Sequence, residues 1–421
     1  MSEPRIDRRT FLKFIGKPSK LLAVTTGLKT GDPTVLLCSC GGKTSIDMKE
    51  LAAFVEGLEV RDVILHDELC GIDGRSRFKT VAEGLPRNIL VAACMKDHVF
   101  SDLVTQLNYP IDFLHTLWLQ ELCGWVHSDP KGATEKAKRM LASALLKIST
   151  RKLSAPLPGE KRLAVHKAVE PSDLRALYGR LETCPAKEGV CLACKDFCPP
   201  HAIIQSEHGI SIDGRSCNVC GICANICPLE LLEVSPREDP SPILSQMLKK
   251  SQKPLGLKEG RILDPEVIAF VCENLAKLAL TSLGSKKLTY PPGVLPVSLR
   301  CLSELSPNLI LQAFNEGAQG VVMIGCDFCL CNSEKYTNTL ADVLERAFAK
   351  GVLEGRLYLI RSNGRDSEKI LESIKNFYDK IAQRERLKIP PLQKSYVKRR
   401  DEFTALISNL KKHTNLRETI E

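Results

Sequence analysis

Cys184-Pro-Ala-Lys-Glu-Gly-Val-Cys191-Leu-Ala-Cys194-Lys-Asp-Phe-Cys198-Pro199 and Cys217-Asn-Val-Cys220-Gly-Ile-Cys223-Ala-Asn-Ile-Cys227-Pro228 hold eight of the 18 cysteines in this 421-residue chain. The first run is spaced Cys-x6-Cys-x2-Cys-x3-Cys-Pro and the second Cys-x2-Cys-x2-Cys-x3-Cys-Pro. Tight spacing lets several thiolates of one loop grip one metal centre. A pair of zinc sites is the competing reading, but zinc sites usually present two ligand pairs separated by a spacer. Pro199 and Pro228 stop helix formation at the end of each loop. Between the loops, Ala202–Ser206 and Ile210–Ile212 flank a His208-Gly209 turn and read as a short hairpin.

This double run resembles the two-cluster bacterial ferredoxin family over residues 184–228. The resemblance implies a small α+β domain, bounded at about 180–235, that binds two [4Fe–4S] clusters. Carried over, Cys184, Cys191, Cys194 and Cys227 hold one cluster, and Cys217, Cys220, Cys223 and Cys198 hold the other. The first loop departs from the family in having six residues where two are usual, which lengthens it and keeps the ligand set.

Outward from this module, residues 33–150 and 262–385 alternate short apolar runs with helix-like stretches. Strands are expected at Thr34–Cys38, Val60–His66, Asn88–Ala93 and Asp112–Trp118, and again at Val267–Val271, Pro296–Arg300, Gly320–Ile324 and Arg356–Ile360. Helices are expected at Met48–Leu58 and Val99–Leu107, with a long one to about Ile148 opened by Asp129 as cap and Pro130 at its first position. Such alternation predicts an α/β fold: two parallel-sheet domains covered by helices, flanking the ferredoxin-like module.

The other ten cysteines lie in these flanks. Cys38 and Cys40 end the first strand, Cys70 follows the second, Cys94 ends the third and Cys123 follows the fourth. In the later domain Cys272, Cys301 and Cys326 end or follow successive strands, and Cys329 and Cys331 sit in the next loop. All carboxyl ends of a parallel sheet share one edge, where ligands bind, so residues distant in sequence gather there. Thiolates gathered in this way suit soft metals. The alternative is buried apolar cysteine, which is common.

The bulk properties exclude other classes. Cysteine-dense secreted scaffolds lack a core, and this chain is too long to need disulfides for that reason. Aromatic residues are 5%, too few for a nucleic-acid stacking platform. No run reaches the roughly 18 apolar residues of a membrane span. The net charge of +9 includes Lys398, Arg399, Arg400, Lys411 and Lys412 in a basic tail at 386–421, a solvated helix face or a docking arm for an acidic partner. Within residues 1–32, Arg8-Arg9-Thr10-Phe11-Leu12-Lys13 resembles a twin-arginine export signal. Lys17, Pro18 and Lys20 interrupt its apolar part, so a cytoplasmic location is expected, with export as the alternative.

Cys38-Ser-Cys40-Gly-Gly, Val91-Ala-Ala-Cys94 and Glu121-Leu-Cys123-Gly-Trp-Val-His-Ser-Asp129 resemble the N-terminal domain of the A subunit of heterodisulfide reductase. That resemblance implies a further [4Fe–4S] cluster on four of Cys38, Cys40, Cys70, Cys94 and Cys123. Ala269-Phe-Val-Cys272, Tyr290-Pro-Pro-Gly293, Gly317-Ala-Gln-Gly-Val-Val322 and Gly325-Cys326 resemble the delta subunit of methyl-viologen-reducing hydrogenase. This implies a [2Fe–2S] cluster on Cys272, Cys301, Cys326 and Cys331, although Leu275 stands where that family has a cysteine and Cys329 is extra. No G-x-G-x-x-G fingerprint of a flavin domain and no Cys-Cys-Gly motif occurs, so no flavin is expected. Together the resemblances imply an electron-relay subunit without catalytic residues. Its partners would be a hydrogenase or formate dehydrogenase and heterodisulfide reductase-like subunits. A thiol/disulfide reductase active in its own right is the alternative, and an oxygen-reporting redox sensor is a third reading.

Overall fold

The protein is described here from a computed structural model. It covers residues 32–83, 87–96, 98–150, 193–206, 209–213, 216–217, 220–227, 232, 240–248, 263–329, 333–347 and 353–387. The twin-arginine-like motif, Cys184, Cys191, Cys331 and the basic tail from residue 388 on lie outside these residues. The chain divides into two compact units. One comprises residues 1–153, 242–264 and 280–295, and the other comprises 154–241, 265–279 and 296–421.

In the first unit the order is β1 (Thr34–Cys38), α1 (Met48–Glu56), β2 (Asp62–His66), α2 (Ile72–Ala82), β3 (Ile89–Ala93), α3 (His98–Gln106), β4 (Leu114–Trp118) and α4 (Pro130–Thr150). The sheet order is β2-β1-β3-β4, with every pair parallel. Strands β1 and β3 are buried along their whole length, as central strands covered on both faces must be. One face packs Leu36, Val91 and Ile89 against Phe78, Phe100 and Val104.

Helix starts follow local chemistry. The Asp47 carboxylate accepts from the Lys49 and Glu50 amides to cap α1. The two Asp129 oxygens accept from Lys131 (3.2 Å) and Gly132 (2.9 Å), so the predicted cap opens α4 as expected. Helix α5 (Ser241–Leu248) also packs here, where Arg139 of α4 donates to the Met247 carbonyl at 3.2 Å. Gly284 lies against the Glu121 backbone, and a Cβ there would come within 2.4 Å of the Glu121 Cα.

The second unit carries the hairpin β5 (Ile203–Ser206) and β6 (Gly209–Ile212), antiparallel and in the register Ile203↔Ile212. Then follow β7 (Val267–Cys272), α6 (Leu275–Ser285) and β8 (Val294–Leu299), of which residues 280–295 belong to the first unit, then α7 (Pro307–Asn315), β9 (Gly320–Cys326), α8 (Glu334–Ala347), β10 (Leu357–Ser362) and α9 (Ser367–Ala382). Their sheet order is β10-β9-β7-β8. Counted outward from β7 and β9, the first and third strands of this sheet, two inner strands again lie between two outer ones.

The α/β class and parallel sheets expected from the sequence are therefore present twice. Boundaries shift by a residue or two. The fourth strand begins at Leu114 because Ile111–Phe113 close a 3-10 turn, and β7 and β9 run on to include Cys272 and Cys326. Among the described residues, no helix is long and apolar enough to cross a membrane.

Candidate metal centres

In a doubly wound sheet a crevice opens beyond the carboxyl ends where the strand order reverses, between the first and third strands. In the first unit those strands are β1 and β3, which end at Cys38 and Ala93. Beyond β1 the chain turns sharply: Cys40, Gly41 and Gly42 have φ of 52°, 69° and 72°. Two of these three left-handed positions are glycines, the residue that takes this conformation without steric cost. The turn brings Cys40 Sγ to 3.7 Å from Cys38 Sγ and into hydrogen bonding with Cys94. Cys70, after β2, lies within electrostatic reach of both Cys94 and Cys38.

The surroundings donate to sulfur. The Leu69 amide points at Cys38 Sγ (3.4 Å). Gln120 holds the Cys38 carbonyl at 2.8 Å, and Ser39 Oγ donates to Asp67 at 2.9 Å. Hydrogen bonding to Cys40 holds Cys38 down to about 7 and Cys94 down to about 6, against the burial that raises both. Cys40, shared between them, is pushed up. This arrangement shifts the two outer positions toward thiolate, the form that binds metal.

Cys123 does not join this group. It lies in a π-helical turn, Gln120–Gly124, fully buried, with its Sγ 3.3 Å from Met140 Sδ, and burial pushes its thiol up to about 12. Beside it, Lys136 is buried and donates to His127 Nε2 (3.1 Å) and the Tyr290 hydroxyl (3.0 Å). His127 Nδ1 in turn donates to the Tyr290 carbonyl at 2.8 Å. Burial drives Lys136 down to about 8 and His127, aided by the lysine charge, down to about 2.

The second unit repeats the crevice between β7 and β9. Cys272 and Cys326, which end those strands, have their Sγ atoms 3.5 Å apart, and Cys301, just after β8, hydrogen-bonds Cys272. Asn274 Nδ2 approaches Cys272 Sγ at 3.8 Å. Cys326 is held down to about 6, first by Cys272 and then by the amides of Leu275 and Ala276 at the start of α6. Leu275, at the position where the family resemblance expects a cysteine, thus contributes its N–H. Cys329 joins through Ser333, a residue without a sequence signal. Ser333 Oγ lies 3.1 Å from Cys329 Sγ and 3.5 Å from Cys301 Sγ, and the Ser333 amide donates to Cys329 at 3.3 Å. A serine two residues past a Cys-x-Cys is too common to suggest such a role.

In the ferredoxin-like module, Cys223 lies within electrostatic reach of Cys220, Cys194, Cys217 and Cys198. Burial pushes Cys223 up to about 12 and Cys220 up to about 11, and raises Cys198. Cys198 accepts from the Ala202 amide at 3.3 Å. Both Cys194 and Cys198 of the first loop therefore lie near the second loop. Among the described residues no three His, Cys, Asp or Glu side chains converge on a point that would hold a single ion. Groups made mostly of thiols, with the Glu68 carboxylate 3.9 Å from Cys70 Sγ in the first unit, fit iron–sulfur clusters, which spread their ligands over several corners.

Comparison with known proteins places the later domain. Residues 267–384 match the family model of the methyl-viologen-reducing hydrogenase delta subunit. The vhc iron–sulfur D subunit of the F420-non-reducing hydrogenase of Methanococcus voltae is 25% identical over 122 residues, 28% of this chain and 85% of that protein. The vhu iron–sulfur D subunit of Methanocaldococcus jannaschii is 32% identical over 92 residues, 22% of this chain and 67% of that protein. The A subunit of the ferredoxin:CoB-CoM heterodisulfide reductase of Methanosarcina acetivorans is 28% identical over 133 residues, 30% of this chain but only 16% of that longer protein. Through its C-terminal domain the chain belongs to the methyl-viologen-reducing hydrogenase delta-subunit family, and it joins that domain to sequence similar to the heterodisulfide reductase A subunit.

Proposed function

We propose that this chain is an iron–sulfur electron-relay subunit with four thiolate-bound centres. Cys38, Cys40, Cys70 and Cys94 would hold a [4Fe–4S] cluster in the first unit, and Cys123 would be no ligand. Cys198, Cys217, Cys220 and Cys223 would hold one [4Fe–4S] cluster of the ferredoxin-like module, with Cys184, Cys191, Cys194 and Cys227 holding the other. Cys272, Cys301 and Cys326, with Cys331 or Cys329, would hold a [2Fe–2S] cluster. Bound there, the clusters supply one-electron exchange and no bond chemistry.

The observation that carries this reading is the recurrence of one arrangement. In two four-stranded sheets, thiols from the first, second and third strand ends meet at the switch point. The chain's own part is to collect the thiolates and aim donors at their sulfurs, as Leu69 does for Cys38 and Asn274 for Cys272. The partners fitting this role are heterodisulfide reductase-like subunits and a hydrogenase or formate dehydrogenase, met in the cytoplasm.

The test is iron and acid-labile sulfide on anaerobically purified protein, with EPR after reduction. About 14 irons per chain are expected from these cluster types. About 8 would confine the centres to the ferredoxin-like module and overturn the reading of both sheet edges. A relay also predicts no activity of the isolated chain on a disulfide with reduced viologen as donor; turnover would favour a thiol/disulfide reductase.

A further inference from the structure

Asn225 lies in the helical turn Ile222–Ile226, between Cys223 and Cys227. Its side-chain amide makes two hydrogen bonds that leave the ferredoxin-like module. Nδ2 donates to the Ser303 carbonyl at 2.7 Å and to the Leu305 carbonyl at 3.2 Å. Both acceptors belong to the short 3-10 turn that follows Cys301, and the Ser303 amide of the same turn donates back to Cys301 Sγ at 3.5 Å. A second contact reinforces the first. Phe197, next to Cys198, meets the Tyr336 ring edge-on at 6.4 Å, Lys335 Nζ lies 5.8 Å from the Phe197 ring, and the Tyr336 hydroxyl donates to the Leu305 carbonyl. Cys220 is close enough to Cys301 to feel its charge. All these residues belong to one compact unit.

An asparagine that only needed to cap its own turn would bond locally. This one spends its donors on two carbonyls about 80 residues away in sequence, in a turn whose Ser303 amide grips a candidate ligand sulfur. We infer that Asn225 is a positioning residue that fixes the separation between the thiolate site at Cys217, Cys220, Cys223 and Cys198 and the site at Cys272, Cys301 and Cys326, making Cys301 the side through which the two exchange an electron. This inference rests on the relay reading proposed above. The exchange makes and breaks no bond: one site is oxidised by one electron as the other is reduced by it, and no proton is required.

The experiment uses the full chain, purified anaerobically and reduced with dithionite so that both sites are paramagnetic. In the wild type, EPR of the two sites is expected to show broadening from their mutual magnetic interaction. Asn225→Leu removes both donors at similar volume, and Asn225→Ala does so without added bulk. Iron content, circular dichroism and the g-values of each site are expected to stay as in the wild type, while the broadening is lost. Tyr336→Phe frees the same Leu305 carbonyl but keeps the ring against Phe197, and is expected to retain the broadening. Iron-replete Asn225 variants with wild-type broadening would overturn the inference. So would loss of the module's iron from both variants, which would make Asn225 a holder of its own module. A wild type with both signals and no broadening overturns the inference and leaves the relay standing. A wild type with no signal at the Cys272–Cys326 site overturns both.

Discussion

The two sheet edges start from the same plan and complete it differently. Each places cysteines at equivalent points of a four-stranded sheet: Cys38, Cys70 and Cys94 in one, Cys272, Cys301 and Cys326 in the other. In the first, a fourth thiol comes from the turn after the first strand, and Cys40 stands between Cys38 and Cys94, bonding to both. In the second, the first and third strand ends touch directly at 3.5 Å, and the extra cysteines lie after the third strand. Topology therefore fixes three positions, and the loops decide where a fourth ligand comes from. Under the proposed assignment, that fourth position is where two domains of similar plan come to hold clusters of different size.

The largest expected effect breaks the comparison at its strongest point. Cys94→Ser in the first sheet should remove about four irons per chain, and Cys123→Ser should remove none. Equal losses from both variants would put Cys123 back among the ligands. In the second sheet, Cys326→Ser should remove about two irons. Cys329→Ser and Cys331→Ser then tell which loop cysteine completes the set, since only the ligand's replacement should lose those irons.

Lys136, beside Cys123 in the first unit, has an effect that is read as stability against pH. Its folded pKa of about 8 lies below its ordinary 10.5, so the unfolded chain binds more protons between those values. The Lys136 contribution to stability should rise with pH across that window, by about 3 kcal/mol, and its penalty should be complete below it, while Cys123, held up to about 12, opposes the rise above its ordinary 9.0. Lys136→Met should abolish the rise in chemical-denaturation curves; an unchanged slope would mean that Lys136 is not the group that titrates. The smallest effect separates the donors. Asn274→Leu should lower the reduction potential of the second site alone by removing a hydrogen bond to Cys272, while a shift at the first site would contradict the assignment.

Much of this arrangement was legible in the residues. Strand runs such as Thr34–Cys38 and the Asp129-Pro130 start announce themselves through burial pattern and capping chemistry. Helix α2 did not, because it is polar and contains Gly74, whose missing side chain lets it lie against the Leu69 backbone. Cys123 shows the limit for placement. It follows a strand as its fellows do, yet the widened turn at Gln120–Gly124 rotates it into the interior beside Met140. Asn225 shows the converse: its position between two cysteines says nothing of the distant carbonyls it reaches.

The parallel winding also sets the order in which this chain can be matured. A loop such as Cys217–Cys227 collects most of its thiols within one short stretch. The edge sites are assembled from strands far apart, spanning Cys38 to Cys94 and Cys272 to Cys326, so neither exists until its third strand has been synthesised and docked. Until then Cys38 and Cys272 wait as unassembled thiols, open to oxidation while they remain exposed. Production under anaerobic conditions with ample iron supply should therefore benefit the two edge sites more than the compact module.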